Sequence, residues 1–282
     1  MEAQFIDKFI EGLLEEIKHK RLDLPTLPEV AIKVGETVDD PDSSAAQLAK
    51  VISIDAALTA RLLQAANSPL FRGKDQIDNI KAAITRLGAK QVKTLINSIV
   101  VEQVFQSKGT PIISAILKKQ WIHSMQVAAI SYVFAQRFTK LKPDIAMLAG
   151  LIHDIGALPI LAYASRFPEL ESDQEALHSV TYLLHTQIGK LVLEGWNFPP
   201  ELIAVAAEHE KYDRVSDPSP DYVDIVMIAN LHTYIGKKHS SNETDWTEIP
   251  AFKALGLTPE ESMAALEEAR AEVQEVLDIL KV

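Results

Sequence analysis

The sequence predicts an all-α protein with a two-part helical architecture, and three observations support this prediction. Apolar residues recur at three- and four-residue spacing in most segments, which is typical of amphipathic helices. An alternating pattern with a period of two residues never persists across several neighbouring segments, so no β-sheet is predicted. Capping residues, prolines and glycines stand where the helical segments begin and end.

The first predicted helix is defined by seven apolar residues at helical spacing: Phe5, Ile6, Phe9, Ile10, Leu13, Leu14 and Ile17. Two prolines within Leu22–Pro28 end it, and a short helix follows over Glu29–Val38. Ser44 and Gln47 have the spacing of a capping box, which predicts the next helix start. Asp55 is a candidate N-cap for the helix after that.

Two more helices are predicted before a polar joint. One starts near Asp78 and stops at Gly88, and the other runs from Ala89 to about Gln106. Ser107–Pro111 is polar and contains glycine and proline, so it is the best candidate for a boundary between two halves. Three units are therefore predicted, an N-terminal helical subdomain, a second helical subdomain packed on it, and a polar linker with a C-terminal helix: residues 1–108, 109–240 and 241–282.

The second half contains longer helices. Ile112–Phe138 is predicted as one long helix or two abutting ones, and Pro143 suits the first position of the next helix. Later helical segments follow in order: Asp173–Trp196, a helix opened by Pro199-Pro200 and ending at Glu208–Glu210, Asp221–Ile235, and Thr258–Leu280.

Composition excludes several classes of protein. With 282 residues and 47% hydrophobic content, the chain can bury a sizeable core. A formal net charge of -11 argues against broad nucleic-acid binding, although a small anionic ligand in a local cationic site remains open. The chain has no cysteine, so disulfides, cysteine-zinc sites and thiol catalysis are excluded.

A cytoplasmic protein without a membrane span is expected. No run approaches the 18 or more apolar residues of a membrane span, and Met1–Ile10 carries charged residues where a secretory signal would need an apolar core. The absence of cysteine fits a reducing compartment.

A His-Asp doublet lies in the apolar stretch LAGLIHDIGAL, Leu148–Leu158. His153 and Asp154 would present an imidazole nitrogen and a carboxylate oxygen to one point, which suits a divalent cation. The alternative is structural, with Asp154 capping a helix and His153 satisfied within the core. The doublet alone does not decide between these interpretations.

Four histidines lie on four different predicted helices of the second half, or at their ends: His123, His153, His185 and His209. Helical bundles build metal sites from side chains that project inward from facing helices. Any one of these histidines is more often structural, but four on separate helices, one beside an aspartate, favour a shared site.

These features resemble the HD-domain phosphohydrolase superfamily. Three stretches of the first half resemble its HDOD branch: LPTLPEV at Leu24–Val30, the run Pro41–Phe71, and IKAAITRLGAKQV at Ile80–Val92. The resemblance covers roughly Leu22–Ile235. It implies a helical fold in which the histidine helices surround the doublet.

The resemblance also implies a ligand set. His123 matches the first histidine ligand, His153 and Asp154 match the signature doublet, and His185 and His209 match additional histidines of enzymes that degrade cyclic dinucleotides. Asn230 occupies the position of the closing aspartate. An amide oxygen can coordinate a cation but brings no charge, so weaker binding of iron, manganese, nickel or magnesium is expected.

Two functions follow from the resemblance. The first is a bacterial regulatory protein that acts through signalling partners or a small phosphorylated ligand, with a degenerate metal site. The second is a metal-dependent phosphohydrolase in which His153 and Asp154 would be catalytic. Asn230, and Ala157 where the cyclic-dinucleotide enzymes usually have lysine, favour the first.

Overall fold

The computed structural model describes residues 3–19, 25–71, 73, 76–105, 110–216, 219–235 and 244–280. Within these ranges the chain forms α-helices joined by turns and loops, with a 3-10 turn at Trp246–Glu248 and no β-strand. The all-α prediction is therefore confirmed. The predicted boundary at residues 108 and 109 lies outside the described residues and stays a prediction.

The helices of the first half end near the predicted breakers, and they run in this order: α1 Ala3–Lys18, α2 Glu29–Asp39, α3 Ala45–Ile52, α4 Ala56–Asn67, α5 Ile80–Leu87 and α6 Ala89–Phe105. Ser44 and Gln47 form the predicted capping box, and Asp55 caps α4. Asn79 caps α5, one residue after the predicted start at Asp78.

The prediction of longer helices in the second half holds only for α7 and α11, and its helices run in this order: α7 Pro111–Phe138, α8 Pro143–Ile152, α9 Ala157–Ala164, α10 Pro168–Ser172, α11 Gln174–Gly195, α12 Pro200–Glu208, α13 Tyr222–Thr233, α14 Pro250–Ala254, α15 Pro259–Glu268 and α16 Arg270–Leu280. The single helix expected over Thr258–Leu280 is wrong, because the chain turns at Ala269. This turn lets α16 lie along α7, where Arg137 Nε donates to Glu272 Oε2 at 3.2 Å.

The paired helices α7 and α8 lie at the centre of the protein. Helices α13 and α16 pack on α7, and α6 of the first half packs on α8. Trp196 adds a polar contact between distant segments, since its Nε1 donates to the carbonyl oxygen of Pro25 at 2.6 Å. One continuous apolar core therefore joins helices of both halves.

The stretch Pro143–Ala164, which contains α8 and α9, is long and apolar enough to cross a membrane by length and composition. The expectation that no run approaches a membrane span is therefore wrong for the length and composition of this stretch. Within the described residues, 83% of its apolar window is buried inside the protein. Two consecutive helices that are this apolar and this buried are typical of the centre of a core.

Helix α13 is buried along its whole length. Its polar side chains must find partners inside the protein, because burial without hydrogen bonds is costly. His232 does so by donating its Nε2 proton to Ser262 Oγ at 2.9 Å, while that hydroxyl donates to Pro259 O at 2.7 Å. The ring also packs edge-on against Phe134 and Trp246.

This environment predicts an acid-sensitive contribution to stability. Burial lowers the pKa of His232 from its usual 6.5 to about 4. The unfolded chain therefore takes up this proton at higher pH than the folded chain. The contribution is fully present above pH 6.5 and is lost as the pH falls from 6.5 to 4, by about 3 kcal/mol in total.

Urea unfolding of metal-free protein at pH 7 and pH 4.5 measures this loss. The variant His232→Phe keeps an aromatic ring but cannot titrate, so its free energy of unfolding is expected to fall less over the same interval. An equal fall in both proteins would contradict the assignment to His232.

Candidate metal centre

The His-Asp doublet lies in a turn between two helices. Helix α8 ends at Ile152, and residues 153–156 lead directly into α9, with Ala157 N donating to Asp154 O at 2.9 Å. His153 is fully buried and Asp154 is 9% exposed. The turn packs on α11 so closely that a Cβ on Gly156 would overlap the backbone of that helix. The doublet is thus fixed between α8 and α11.

The structure brings the four sequence-predicted histidines together around Asp154. Asp154 Oδ2 lies 3.3 Å from His153 Nε2 and 3.7 Å from His123 Nε2. Asp154 Oδ1 lies 3.2 Å from His209 Nε2 and 3.3 Å from His185 Nε2. Each oxygen of one carboxylate therefore faces its own pair of histidines, and two groups of two imidazoles and one carboxylate result.

Backbone carbonyls orient three of these rings, because each Nδ1 lies within hydrogen-bond distance of one: His153 of Gly150 O at 2.8 Å, His185 of Tyr182 O at 2.8 Å, and His209 of Val205 O at 2.9 Å. A carbonyl oxygen only accepts, so Nδ1 carries the proton in each ring. The Nε2 atom of each neutral ring then presents a lone pair.

His123 is oriented in the same sense by a hydroxyl group. Thr233 Oγ1 donates its proton to Asn230 O at 2.7 Å, so it accepts from His123 Nδ1 at 3.3 Å. The Nε2 atom of His123 therefore also presents a lone pair when the ring is neutral. All four Nε2 atoms point at one carboxylate.

When the four rings are neutral, no proton is available for a hydrogen bond between the paired Nε2 atoms or from these atoms to Asp154. The Nε2 atoms of His123 and His153 are 3.3 Å apart, and those of His185 and His209 are 3.2 Å apart. Burial by itself raises the pKa of Asp154, but the positive charges that His153 and His185 carry when protonated outweigh burial and hold this pKa well below its usual range. When the rings are neutral, another cation must supply that charge. Two pairs of lone pairs and an ionised carboxylate are what a pair of divalent cations would satisfy.

The donor set also indicates the kind of ion. Two imidazoles and one carboxylate oxygen per group suit iron or nickel, and manganese accepts them, whereas magnesium prefers oxygen ligands alone. The residues present therefore fit transition-metal ions.

Asn230, the sixth residue of the predicted set, lies beside the histidine cluster. Its Nδ2 donates to Glu210 Oε1 at 3.2 Å. Its Oδ1 is buried and, within the described residues, has no hydrogen-bond partner. A buried acceptor without a donor is costly, so a cation or a water molecule at this oxygen would stabilise it.

Two residues that the sequence did not single out touch the centre. Gln120 Nε2 donates to Asp154 Oδ2. Tyr234 stacks on His123, with ring centroids 5.3 Å apart, and its hydroxyl lies 3.5 Å from His123 Nε2. Burial, then the charges of Asp154 and Glu210, raise the pKa of Tyr234, so its hydroxyl stays protonated. Gln120 lies three residues before His123, and that spacing on one helix face was an available signal.

Glu210, which directly follows His209, is a third missed residue. Its Oε1 lies 3.9 Å from His209 Nε2. Its Oε2 accepts hydrogen bonds from Tyr212 at 2.8 Å and from Tyr182 at 3.2 Å. A second carboxylate is thereby held at the edge of the cluster.

Arg214 stabilises the loop between α12 and α13, which contains His209 and Glu210. Its guanidinium donates to three carboxylates, one at the end of α12 and two at the start of α13: Glu208, Asp221 and Asp224. Asp224 is fully buried and bound to this arginine, so it is unavailable as a substitute for the missing aspartate.

The sequence and the fold of this chain are similar to those of known proteins. The HDOD domain family matches residues 24–212. A crystal structure from Shewanella amazonensis SB2B, named "putative metal-dependent phosphohydrolase", is 32% identical, with a TM-score of 0.82 over 98% of this chain and 99% of that one. An HDOD domain protein with unknown function from Geobacter sulfurreducens is 22% identical, with a TM-score of 0.70 over 95% and 96%.

A curated relative, an uncharacterized protein of Treponema pallidum (strain Nichols), is 24% identical over 245 residues. The match covers 81% of this chain and 45% of the relative, so the chain spans about half the length of that protein.

Proposed function

We infer that this chain, which belongs to the HDOD domain family, is a signal-transduction protein whose Asp154-centred site binds two divalent metal ions and, through them, a phosphate-bearing ligand. One observation carries the proposal. Four histidine Nε2 atoms, each with its proton placed on the opposite ring nitrogen, surround the two oxygens of one buried carboxylate.

The net charge of the metal-loaded site favours one class of ligand. Two divalent ions beside Asp154 keep a net positive charge in a partly buried site, which favours an anion with several oxygens. Bound ions would supply the positive charge that orients and polarises phosphate oxygens. His123 and Asp154 keep about 13% of their side-chain surface exposed, whereas His153 and His209 keep none. A ligand would therefore enter on the His123 side.

The position of the site suits signalling. The turn with His153 and Asp154 follows α8, which packs on α6 of the first half, and it rests on α11, which packs on α1. A change at the centre can therefore reach helices of the first half through direct packing. Coupling of this kind needs contiguous packed elements, and α8 supplies one.

The metal step is tested by equilibrium dialysis of the full chain against Mn²⁺, Ni²⁺ or Mg²⁺ after treatment with EDTA. About two equivalents of Mn²⁺ or Ni²⁺ per chain are expected, with weaker retention of Mg²⁺. Inorganic phosphate should then bind the metal-loaded protein and not the metal-free protein in calorimetry. Retention of one ion per chain or fewer would overturn the two-metal proposal.

A phosphohydrolase is the second candidate, and the carboxylate shared by two groups of histidines favours it, because two-metal hydrolases use ions about 3.5–4 Å apart. Asn230 and Ala157 argue against it.

The metal-loaded protein is assayed with bis(p-nitrophenyl) phosphate, and amide hydrogen exchange of α6 is followed with and without phosphate. A regulator changes exchange in α6 without turnover. Turnover that is lost in Asp154→Asn would establish the enzyme instead.

A further inference from the structure

We propose that Glu210 is a further ligand of the metal centre and supplies its second negative charge, on the ion held by His185, His209 and Asp154. The proposal rests on the two-metal function above. It assigns to the chain a carboxylate ligand that lies outside the sequence-predicted set, and it gives Asn230 the role of a positioning residue for that carboxylate.

Distance supports a shared ion. Glu210 Oε1 lies 3.9 Å from His209 Nε2. A cation that makes bonds of about 2.0–2.2 Å to nitrogen and to oxygen can join two atoms up to about 4.2 Å apart. One ion can therefore reach both atoms with the side chains where they stand.

The hydrogen bonds of Glu210 orient it for this role. Its Oε2 is held by the hydroxyls of Tyr182 and Tyr212, and Asn230 Nδ2 donates to its Oε1. Burial, then the charge of Glu210, raise the pKa of Tyr212, so that hydroxyl remains a donor. Three neutral donors fix the carboxylate, and a further lone pair of Oε1 remains for a cation.

Charge gives the reason for a carboxylate here. The Glu210 side chain is only 13% exposed, and within the described residues its one ion-pair contact is with His209. A largely buried carboxylate beside an imidazole, with no lysine or arginine partner among the described residues, is costly unless a cation balances it. Asn230 brings no charge, so Glu210 is the group that can join Asp154 in balancing two divalent ions.

The test compares Mn²⁺ binding by three full-length proteins. Titration is followed by electron paramagnetic resonance of the free ion. Glu210→Gln keeps the shape of the side chain and loses its charge, so we expect one of the two ions to bind about tenfold more weakly or worse. Glu201→Gln removes a charge from an exposed position in α12, the helix that ends two residues before Glu210, and should bind both ions as the natural chain does.

Two further measurements separate a ligand from a structural residue. Metal-free Glu210→Gln should melt no lower than the natural chain, because it removes a buried charge that lacks a cation. Adding Asn230→Asp to Glu210→Gln returns a carboxylate to a position one hydrogen bond away, and the lost affinity should be regained in part. A lower melting temperature without metal, or no recovery in the double variant, would overturn the assignment.

The proposal and the function beneath it can fail separately. If the natural chain binds two ions and Glu210→Gln binds both equally well, the role of Glu210 is refuted and the two-metal centre stands. If the natural chain binds no Mn²⁺, the function itself is refuted.

Discussion

Replacing Asp154 with asparagine is expected to reduce metal binding from two ions per chain to none. Both oxygens of this carboxylate face a histidine pair, Oδ2 at 3.3 Å from His153 and Oδ1 at 3.2 Å from His209. Asparagine offers one oxygen, no charge, and an amide group that would point at one of the pairs. The single substitution therefore removes the anionic ligand from both groups at once.

Dialysis against Ni²⁺ followed by elemental analysis measures the effect. His123→Ala serves as the matched variant, since His123 belongs to one group only and its loss should leave one ion per chain. Each metal-free protein is first checked for an unchanged helical circular dichroism spectrum. If Asp154→Asn still retains one full equivalent, the carboxylate does not serve two ions.

Gly156→Ala is expected to destabilise the protein by about 4 kcal/mol, at the upper end for overpacking. A Cβ at this position would lie far inside van der Waals contact with His185 O and Gly189 N, and 2.9 Å from Gly189 Cα. All three are backbone atoms, so no flexible side chain can move aside. The φ angle of Gly156 is -66°, which alanine adopts freely, so the cost is steric.

Urea unfolding compares this variant with Gly195→Ala, the matched control in α11. Among the described residues, no atom beyond its chain neighbours and its own helix backbone lies within 4 Å of a Cβ built on Gly195, and alanine has the higher helix propensity. The control is expected to change the free energy of unfolding by no more than about 1 kcal/mol. Because Gly156 packs on the backbone of His185, metal affinity should also fall in Gly156→Ala. Equal stability of the two variants would show that α9 and α11 separate easily.

Helix starts were predictable because capping is local. The Ser44–Gln47 capping box is formed as the sequence indicates, since it involves residues three positions apart, and Thr258 and Glu261 form another with the same spacing. The turn at Ala269 was not predictable. The apolar spacing continues through it, and only the packing of α16 along α7 interrupts the helix.

The histidines were identified from the sequence, but their partners were not. Gln120 and Glu210 are common residue types whose roles depend on contacts across helices, with Asp154 and with the hydroxyls of Tyr182 and Tyr212. In the sequence, nothing distinguishes either residue from a solvent-exposed glutamine or glutamate. The spacing from Gln120 to His123 and the position of Glu210 after His209 were signals too weak to separate them from other polar residues.

By itself, the sequence determined that this protein is all-α, where most helices begin, and which four histidines and one aspartate were candidates for a shared site. Periodicity and capping involve residues three to four positions apart, so both can be recognised directly in the sequence. Only the tertiary structure decided that Asp154 faces two histidine pairs, that backbone carbonyls turn three Nε2 atoms toward it, and that Glu210 stands beside Asn230. These contacts join residues on separate helices, so they exist only where packing brings those helices together.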